Sequence, residues 1–466
     1  MNGGCLPSSY PAQAGYFVCG VAAGVVMADV IAATRQVLDA HGIRGRSVCV
    51  GLSGGLDSVV LLRAITAVAN ACELRVSAVH VNHGLQPHAA QWAAFCVDLC
   101  RSQGVPVSVE EVTVSRSSGL GIEAAARAQR YAVYATLKAD YLVLAHHLDD
   151  QAETLLLQLL RGAGPKGLSA MPVERALGAG RPVLLRPFLN LTRSELAEFA
   201  IAQGLTWIED DSNAELAFDR NFLRHTVFPL IEQRFPAYRS TLSRASRNLA
   251  DVAQLAEILG RQDLLAVRID DGVNLEKVRS WPHSRVLNVL RSLFRDLGYT
   301  APRRAVLTEA LRQAFEARED AGVKVDFGEF SLRRYRGNLH VVKNLEVPAG
   351  WRVRWQGEET VMLPPGLGEL RFRRAIGTGM SAAMMQRQEI SVALRSGGEC
   401  MALAVNRPHR SLRKLYQDAA VAPWLRERTP LLLCGSRLVF VPGLGVAAEY
   451  QAGPDEVSWD VEWVPV

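Results

Sequence analysis

The chain has 466 residues, 49% hydrophobic and 21% charged, with a formal net charge of +5. This is the make-up of a globular protein with room for two to four domains; it excludes a disordered or fibrous chain and permits a polyanionic partner without requiring one. The eight cysteines include no Cys-x-x-Cys pair, which argues against a zinc or iron–sulfur site and fits reduced thiols in a cytoplasmic protein.

Residues 1–26 contain no Asp, Glu, Lys or Arg. Their apolar part, 14–26, is too short to span a bilayer and lacks a signal peptide's basic flank, so no membrane attachment is expected. Met27 stands directly before a helical pattern at 29–40, so 1–26 is expected to be a disordered extension, with the biological start at Met27.

The apolar run 47–52 reads as a buried strand and 59–64 as a helix. Between them lies Ser53-Gly54-Gly55-Leu56-Asp57-Ser58. Paired glycines permit positive φ and close approach of the main chain to a ligand, and the unpaired N–H groups of a helix N-terminus attract anions. Asp57 would repel a bare phosphate and so suggests a bridging cation. The string resembles the pyrophosphate loop, SGGxDS, of enzymes that cleave ATP between its α and β phosphates. It lacks the lysine of the other common phosphate loop.

Strand patterns at 75–81, 105–114, 141–145 and 183–185 alternate with helical patterns at 87–103, 122–138, 149–161 and 193–203. This alternation predicts a doubly wound, mostly parallel α/β sheet whose ligands bind at the carboxyl ends of its strands. An irregular Gly/Pro-rich loop is expected at 161–186, and a long connector helix at 236–260. Helices at 285–297 and 303–317, with a strand-like stretch at 331–335, suggest a largely helical central domain, and short apolar–polar alternations over 346–466 suggest a small α+β domain. The expected division is 27–235, 236–345 and 346–466.

The ionisable clusters fall at predicted strand ends. His80 and His83 suit metal binding or proton handling, although a polar strand end is the simpler account. Arg127 and Arg130 share a predicted helix and could grip phosphate, or form a solvated face. His146-His147-Leu148-Asp149-Asp150-Gln151-Ala152-Glu153 opens a helix, and it holds more ionisable groups than capping requires. It could hold magnesium and orient an amine. Arg220 and Arg224, four apart, share a face downstream of the acidic run 209–211, and either pair with it or close over a ligand.

Taken together and in this order, these strings resemble the tRNA(Ile)-lysidine synthetase family: SGGxDS, HxNHG, ARxxRY, AHHxDDQxET, EDxSN and RNxxR. The segment 407–418 resembles its C-terminal domain. Gln86 stands where the family often has Arg. The resemblance implies an α-hydrolase-like, PP-loop catalytic domain with ATP and Mg2+ as cofactors. It implies that ATP activates carbon 2 of the wobble cytidine in the CAU anticodon of tRNA(Ile), and that the side-chain amine of free lysine then displaces AMP. Ser53, Gly54, Gly55, Leu56, Asp57, Ser58, His80 and Arg127 would bind the nucleotide, and Asp57 and Asp150 the metal. Asp57, Arg127, His146, Asp149 and Asp150 would be catalytic. Asp149, Glu153, Arg130, Arg220 and Arg224 would contact lysine or tRNA. His146 and His147 are the candidates for the base that deprotonates lysine.

Between residues 401 and 430 there are six Lys or Arg against two acids. Arg410, Arg413 and Lys414 are expected on one helical side, with Tyr416 and Trp424 nearby, as a tRNA phosphate-binding face. A homodimer is compatible with this reading. The alternatives are a related tRNA thiolase, which the missing Cys-x-x-Cys pairs disfavour, and a non-catalytic RNA-binding relative, which the intact Asp57, Ser58, Asp149 and Asp150 disfavour.

Overall fold

The structure, a computed structural model, describes residues 20–84, 88–114, 122–210, 215, 217–318, 321–386 and 389–465. The chain divides into two compact units, Met1–Ala256 and Glu257–Val466.

The first unit is built on a six-stranded sheet. Its strands are β1 (Ser47–Gly51), β2 (Arg75–Asn82), β3 (Val107–Glu111), β4 (Tyr141–Val143), β5 (Glu174–Ala176) and β6 (Val183–Leu185), in the order β3-β2-β1-β4-β6-β5. All pairings are parallel except β5 with β6. The helices are α1 (Gly20–Ala40), α2 (Leu56–Ala69), α3 (Ala89–Ser102), α4 (Ile122–Tyr134), α5 (Leu148–Leu160), α6 (Pro165–Leu168), α7 (Arg193–Ala202), α8 (Asp219–Phe222), α9 (Phe228–Arg234) and α10 (Tyr238–Val267). A π-helical turn, Leu223–Val227, joins α8 to α9.

β1 is apolar from Val48 onward because both its faces are covered. One face packs Val48 and Val50 with Leu61, Leu62 and Ile65 of α2 and Phe199 of α7. The other packs Cys49 with Tyr134 of α4, Leu142 and Leu184. The expected doubly wound sheet is therefore present. The strand order reverses between β1 and β4, and a ligand crevice belongs outside the carboxyl ends of those two strands. The predicted pyrophosphate loop leaves one of them and the His146–Asp150 turn follows the other.

Three differences from expectation stand out. α1 begins at Gly20, ahead of Met27, while residues 1–19 of the expected extension lie outside the described residues. The loop expected at 161–186 contains α6 and the antiparallel edge strand β5. The connector helix α10 runs on to Val267. Among the described residues no helix is long and apolar enough to cross a membrane.

The second unit holds two cores. Helices His283–Asp296 and Arg304–Glu316 pack Leu287, Leu290, Phe294 and Leu311 against Phe330, Leu332, Leu339 and Val341. Those strand residues belong to a five-stranded sheet, so the central region is mixed rather than helical. The C-terminal core, which includes Leu370, Phe372, Val392, Leu412, Tyr416, Leu432 and Val439, is wrapped by a five-stranded and a four-stranded sheet with short helices. A small cluster of Val342, Ala422 and Trp424 joins the two cores.

Candidate active site at the sheet's switch point

The loop between β1 and α2 is held open by its own polar groups. Ser58 Oγ accepts from the Ser53 and Gly54 N–H groups at 3.1 and 3.2 Å and donates to Gly55 O at 3.0 Å. Ser53 Oγ lies 3.1 Å from it and accepts from the Gly55 N–H at 3.3 Å. Gly54 takes φ +89°, and a Cβ there would meet Ile208 Cδ1 at 3.0 Å and Cys96 Sγ at 3.2 Å. The position therefore demands glycine on both conformational and steric grounds. The Ile208 N–H latches the loop through Gly54 O at 2.9 Å. Gly55 precedes α2 without a side-chain cap, so the first-turn amides of Leu56, Asp57 and Ser58 open a 14-residue helix at an anion-ready end.

His80, expected to touch the nucleotide, lies behind this loop instead. It is buried, with Nδ1 2.9 Å from Leu52 O and 3.4 Å from Cys96 Sγ. Burial lowers its pKa, so it is a neutral prop for the residue that leads into the loop.

The turn from β4 into α5 brings four carboxylates, Asp57, Asp149, Asp150 and Glu153, against four cations, His147, Arg220, Arg224 and Arg239. His147 Nε2 is 3.7 Å from Asp57 Oδ2 and 3.5 Å from Asp150 Oδ2, and its Nδ1 is 3.4 Å from Asp149 Oδ2. Burial opposes its charge, but Asp150, Asp149 and Asp57 outweigh burial and raise its pKa to about 10. His147 is therefore a cation at neutral pH, which removes it as the base for lysine.

Asp150 accepts from the His147 N–H at 3.0 Å on Oδ2 and from Arg220 Nη2 at 2.8 Å on Oδ1. Burial would raise its pKa, yet His147 and Arg220 hold it down at about 2. Asp149 accepts from the Arg193 N–H at 2.9 Å and from Arg239 Nε. Burial opposes its charge too, and these bonds together with His147 hold it below the usual carboxylate range. Glu153, 1% exposed, accepts from Arg220 Nε at 2.5 Å and from Arg224 Nε and Nη2 at 2.6 and 3.0 Å. The expected pair Arg220 and Arg224 thus reaches the acids of α5, and residues 211–214 lie outside the described ones.

These commitments bear on the expected metal ligands. Both Asp150 oxygens are engaged internally, whereas Asp57 Oδ1 is a buried oxygen with no hydrogen-bond partner. Among the described residues no group of three or more His, Cys, Asp or Glu is arranged to hold a metal. Mg2+ bound with a nucleotide takes most of its ligands from phosphates and water and needs one or two carboxylates. The orphaned Asp57 oxygen beside the loop fits that requirement.

On the other side of the crevice lies a basic group that the sequence only half disclosed. Arg127 is exposed, donates from Nη2 to Tyr131 OH at 3.3 Å and stacks 5.0 Å from its ring. Arg175 approaches the same ring at 5.7 Å. Arg130 turns to His83, its Nε 3.4 Å from Nε2. Burial, then Arg130 and His80, lowers the His83 pKa to about 4. Arg186 is 1% exposed; its Nε donates to His146 Nδ1 at 3.2 Å and its Nη1 to Pro172 O at 2.7 Å. Sequence reasoning missed Arg186, Arg175 and Arg239. An arginine closing the apolar run Leu184-Leu185 at the sheet's carboxyl edge was the available signal for the first. Arg239 had none, since its partner Asp149 is 90 residues away.

In the second unit, Arg413 and Lys414 are exposed on the helix Leu412–Asp418. Arg410 precedes that helix on a two-residue strand and pairs with Asp418 at 2.5 Å, so the three residues do not form one helical face. Tyr416 and Trp424 are buried. Arg426 reaches Val421 O and Tyr335 OH, and Arg428 reaches Lys343 O.

The chain matches the PP-loop domain family over residues 29–231, the TilS substrate binding domain over 274–340 and the TilS substrate C-terminal domain over 390–463. It is 40% identical to the tRNA(Ile)-lysidine synthase of Nitrosomonas europaea over 423 residues, 90% of this chain and 92% of the relative. The chain belongs to the tRNA(Ile)-lysidine synthase family. The enzyme of the same name from Azoarcus sp. is 38% identical over 92% of this chain and 94% of its own length. Among solved structures, a U34-tRNA thiolase from Methanococcus maripaludis is similar over 49% of this chain and 80% of its own, at 16% identity and a TM-score of 0.44.

Proposed function

We propose that this chain is an ATP-dependent ligase that joins free lysine to carbon 2 of the wobble cytidine in the CAU anticodon of tRNA(Ile), forming lysidine and changing the codon read from Met to Ile. The observation that carries this reading is the relationship of about 40% identity across nine-tenths of the chain, with catalytic, substrate-binding and C-terminal domain matches in family order.

The site supports the two steps. In the first, the cytidine oxygen attacks the α-phosphorus of ATP and pyrophosphate leaves. The uncapped first-turn amides of Leu56, Asp57 and Ser58 would receive the departing phosphates at the N-terminus of α2, and Arg127 would hold the α-phosphate. Asp57 would hold Mg2+, which when bound neutralises charge on the phosphates. In the second, the lysine ammonium gives up a proton to solvent, the free amine attacks carbon 2 and AMP leaves. The mixed cluster of Asp149, Asp150 and Glu153 with Arg220 and Arg224 offers both signs of charge to a zwitterionic amino acid, acids toward the amine and guanidinium groups toward the carboxylate. The exposed Arg413 and Lys414 add phosphate contacts to the tRNA. Such an enzyme works where tRNA is used, in the cytoplasm.

The test supplies ATP, magnesium, labelled lysine and a total tRNA pool, then identifies the labelled species. Label confined to tRNA(Ile) with a CAU anticodon is expected. Label in no tRNA, with sulfur transfer detected instead, would favour the thiolase alternative.

A further inference from the structure

We infer that His146 acts as a neutral hydrogen-bond donor, through Nε2, to a phosphoryl oxygen of the reacting nucleotide, and that Arg186 is the positioning residue that fixes its tautomer. This rests on the proposed adenylating reaction and deepens it. It also removes His146 from the role of proton acceptor for lysine.

The geometry begins with adjacent strands. Val143 of β4 is in register with Leu185 of β6, so the residues that follow, His146 and Arg186, emerge side by side at the carboxyl edge. Arg186 cannot swing away. Its N–H is bonded to Val173 O at 2.9 Å, its Nη1 to Pro172 O at 2.7 Å, and its guanidinium also meets Tyr131. Its Nε–H therefore points steadily at His146 Nδ1, 3.2 Å away.

Arginine has donors and no acceptor. Nδ1 must then present its lone pair, and in the neutral ring the one proton sits on Nε2. The opposite tautomer would set two N–H groups against each other, one of them on a guanidinium that is 1% exposed. A base at His146 needs a lone pair on Nε2, which is that disfavoured tautomer. Nε2 meets no hydrogen-bond partner among the described residues, while Arg127, Arg186 and Arg220 bear on the ring electrostatically with Asp150 as the opposing charge. A donor N–H set among guanidinium groups suits an anionic oxygen, and the reaction brings one there as the α-phosphoryl group. Burial first, then the arginines, lowers the ring's pKa to about 3, so it stays neutral through the working range. A neutral imidazole of this kind donates without surrendering its proton.

The test has two readouts. In protein carrying 15N-labelled histidine, the neutral-pH spectrum of His146 should show its proton on Nε2; a proton on Nδ1, or on both nitrogens, overturns the inference. His146→Gln places an amide N–H near the Nε2 position, whereas His146→Asn reaches only the Nδ1 position. Gln should keep tRNA-dependent pyrophosphate release within about tenfold of wild type and Asn should lose about a hundredfold, the scale of one removed oxyanion donor. Equal loss in both overturns the donor role. Arg186→Gln should convert His146 to a mixture of tautomers; an unchanged spectrum overturns the positioning role, and if that variant does not fold, the wild-type spectrum and the His146 pair carry the test. Wild-type pyrophosphate release with ATP and tRNA is the control: its absence sinks the functional reading, while the spectrum judges the tautomer independently.

Discussion

Arg224 grips Glu153 in a two-pronged pair, Nε to Oε1 at 2.6 Å and Nη2 to Oε2 at 3.0 Å, with the carboxylate side chain only 1% exposed. Arg220 donates to the same carboxylate and to Asp150. This knot ties α8 and the π-helical turn after it to α5. Removing one member of a buried pair leaves an uncompensated charge, which costs about 3–5 kcal/mol. Glu153→Gln should therefore lower the unfolding free energy measured in urea by that order and also impair lysine use. A variant of unchanged stability would mean that the knot is absent in solution.

Asp57 should behave differently from its neighbours in the loop. Its Oδ1 has no hydrogen-bond partner, its side chain is about one-third exposed, and its Oδ2 lies 3.7 Å from His147, whose charge Asp149 and Asp150 also hold, so the fold asks less of it than of those two. Asp57→Asn should leave the thermal midpoint nearly unchanged and reduce pyrophosphate release by about a hundredfold or more. Ser58→Ala should do the reverse in part: Ser58 Oγ organises the Ser53 and Gly54 N–H groups, so ATP affinity should drop. Calorimetric titration with ATP and magnesium separates the two, and wild-type turnover by Asp57→Asn would remove the metal-binding role.

The sequence disclosed what is local. The strand–loop–helix around Ser53–Ser58, the acidic turn at Asp149 and the alternating strands are each written within a dozen residues, and the structure brings them to one crevice. It did not disclose what depends on distant pairing. Nothing in the run His146-His147 says that one ring is ringed by three carboxylates and the other backed by Arg186, 40 residues away. Likewise Arg220 and Arg224 share a face as expected, but only the fold shows that this face is spent on Glu153. The β5 edge strand was hidden because an edge strand needs little apolar sequence of its own.

The two adjacent histidines should give stability profiles of opposite slope. His147 has a folded-state pKa raised from 6.5 to about 10. Its contribution is fully present below pH 6.5 and is lost as pH rises toward 10. His146 has a folded-state pKa lowered from 6.5 to about 3, so its contribution is present above pH 6.5 and is lost as pH falls toward 3. The stability difference between wild type and His147→Gln should shrink from pH 6.5 to 10. That between wild type and His146→Gln should shrink from pH 6.5 downward. Urea unfolding across pH measures both, and a flat difference for either variant would rule out the assigned protonation state.

Trp424 is a structural residue rather than a stacking platform for RNA. It is 5% exposed, with its ring 6.0 Å from Tyr335 and 5.1 Å from His340, at the small cluster joining the two cores of the second unit. Trp424→Ala should cost about 3–5 kcal/mol of stability. The salt dependence of tRNA binding by the folded fraction should be unchanged. A flatter slope without loss of stability would place the ring on RNA.

The tRNA contacts of the C-terminal region should rest on fewer residues than its charge count suggests. Of the six basic side chains between residues 401 and 430, Arg426 and Arg428 are bonded to main-chain oxygens and Arg410 is paired with Asp418. Arg407, Arg413 and Lys414 are exposed, the last two on the helix Leu412–Asp418. Each phosphate contact contributes about 0.9 to the slope of log affinity against log salt on a duplex. Arg413→Ala with Lys414→Ala should therefore flatten that slope by about 2 and weaken every bound tRNA alike, because phosphate contacts carry no sequence information. Arg410→Ala should flatten it by less than one, since the guanidinium is already shared with Asp418. Asp418→Ala should steepen it by releasing Arg410. A salt series of tRNA affinity on wild type and these three variants decides the matter. An unchanged slope in the double variant would show that this helix stays in water and that tRNA is held elsewhere.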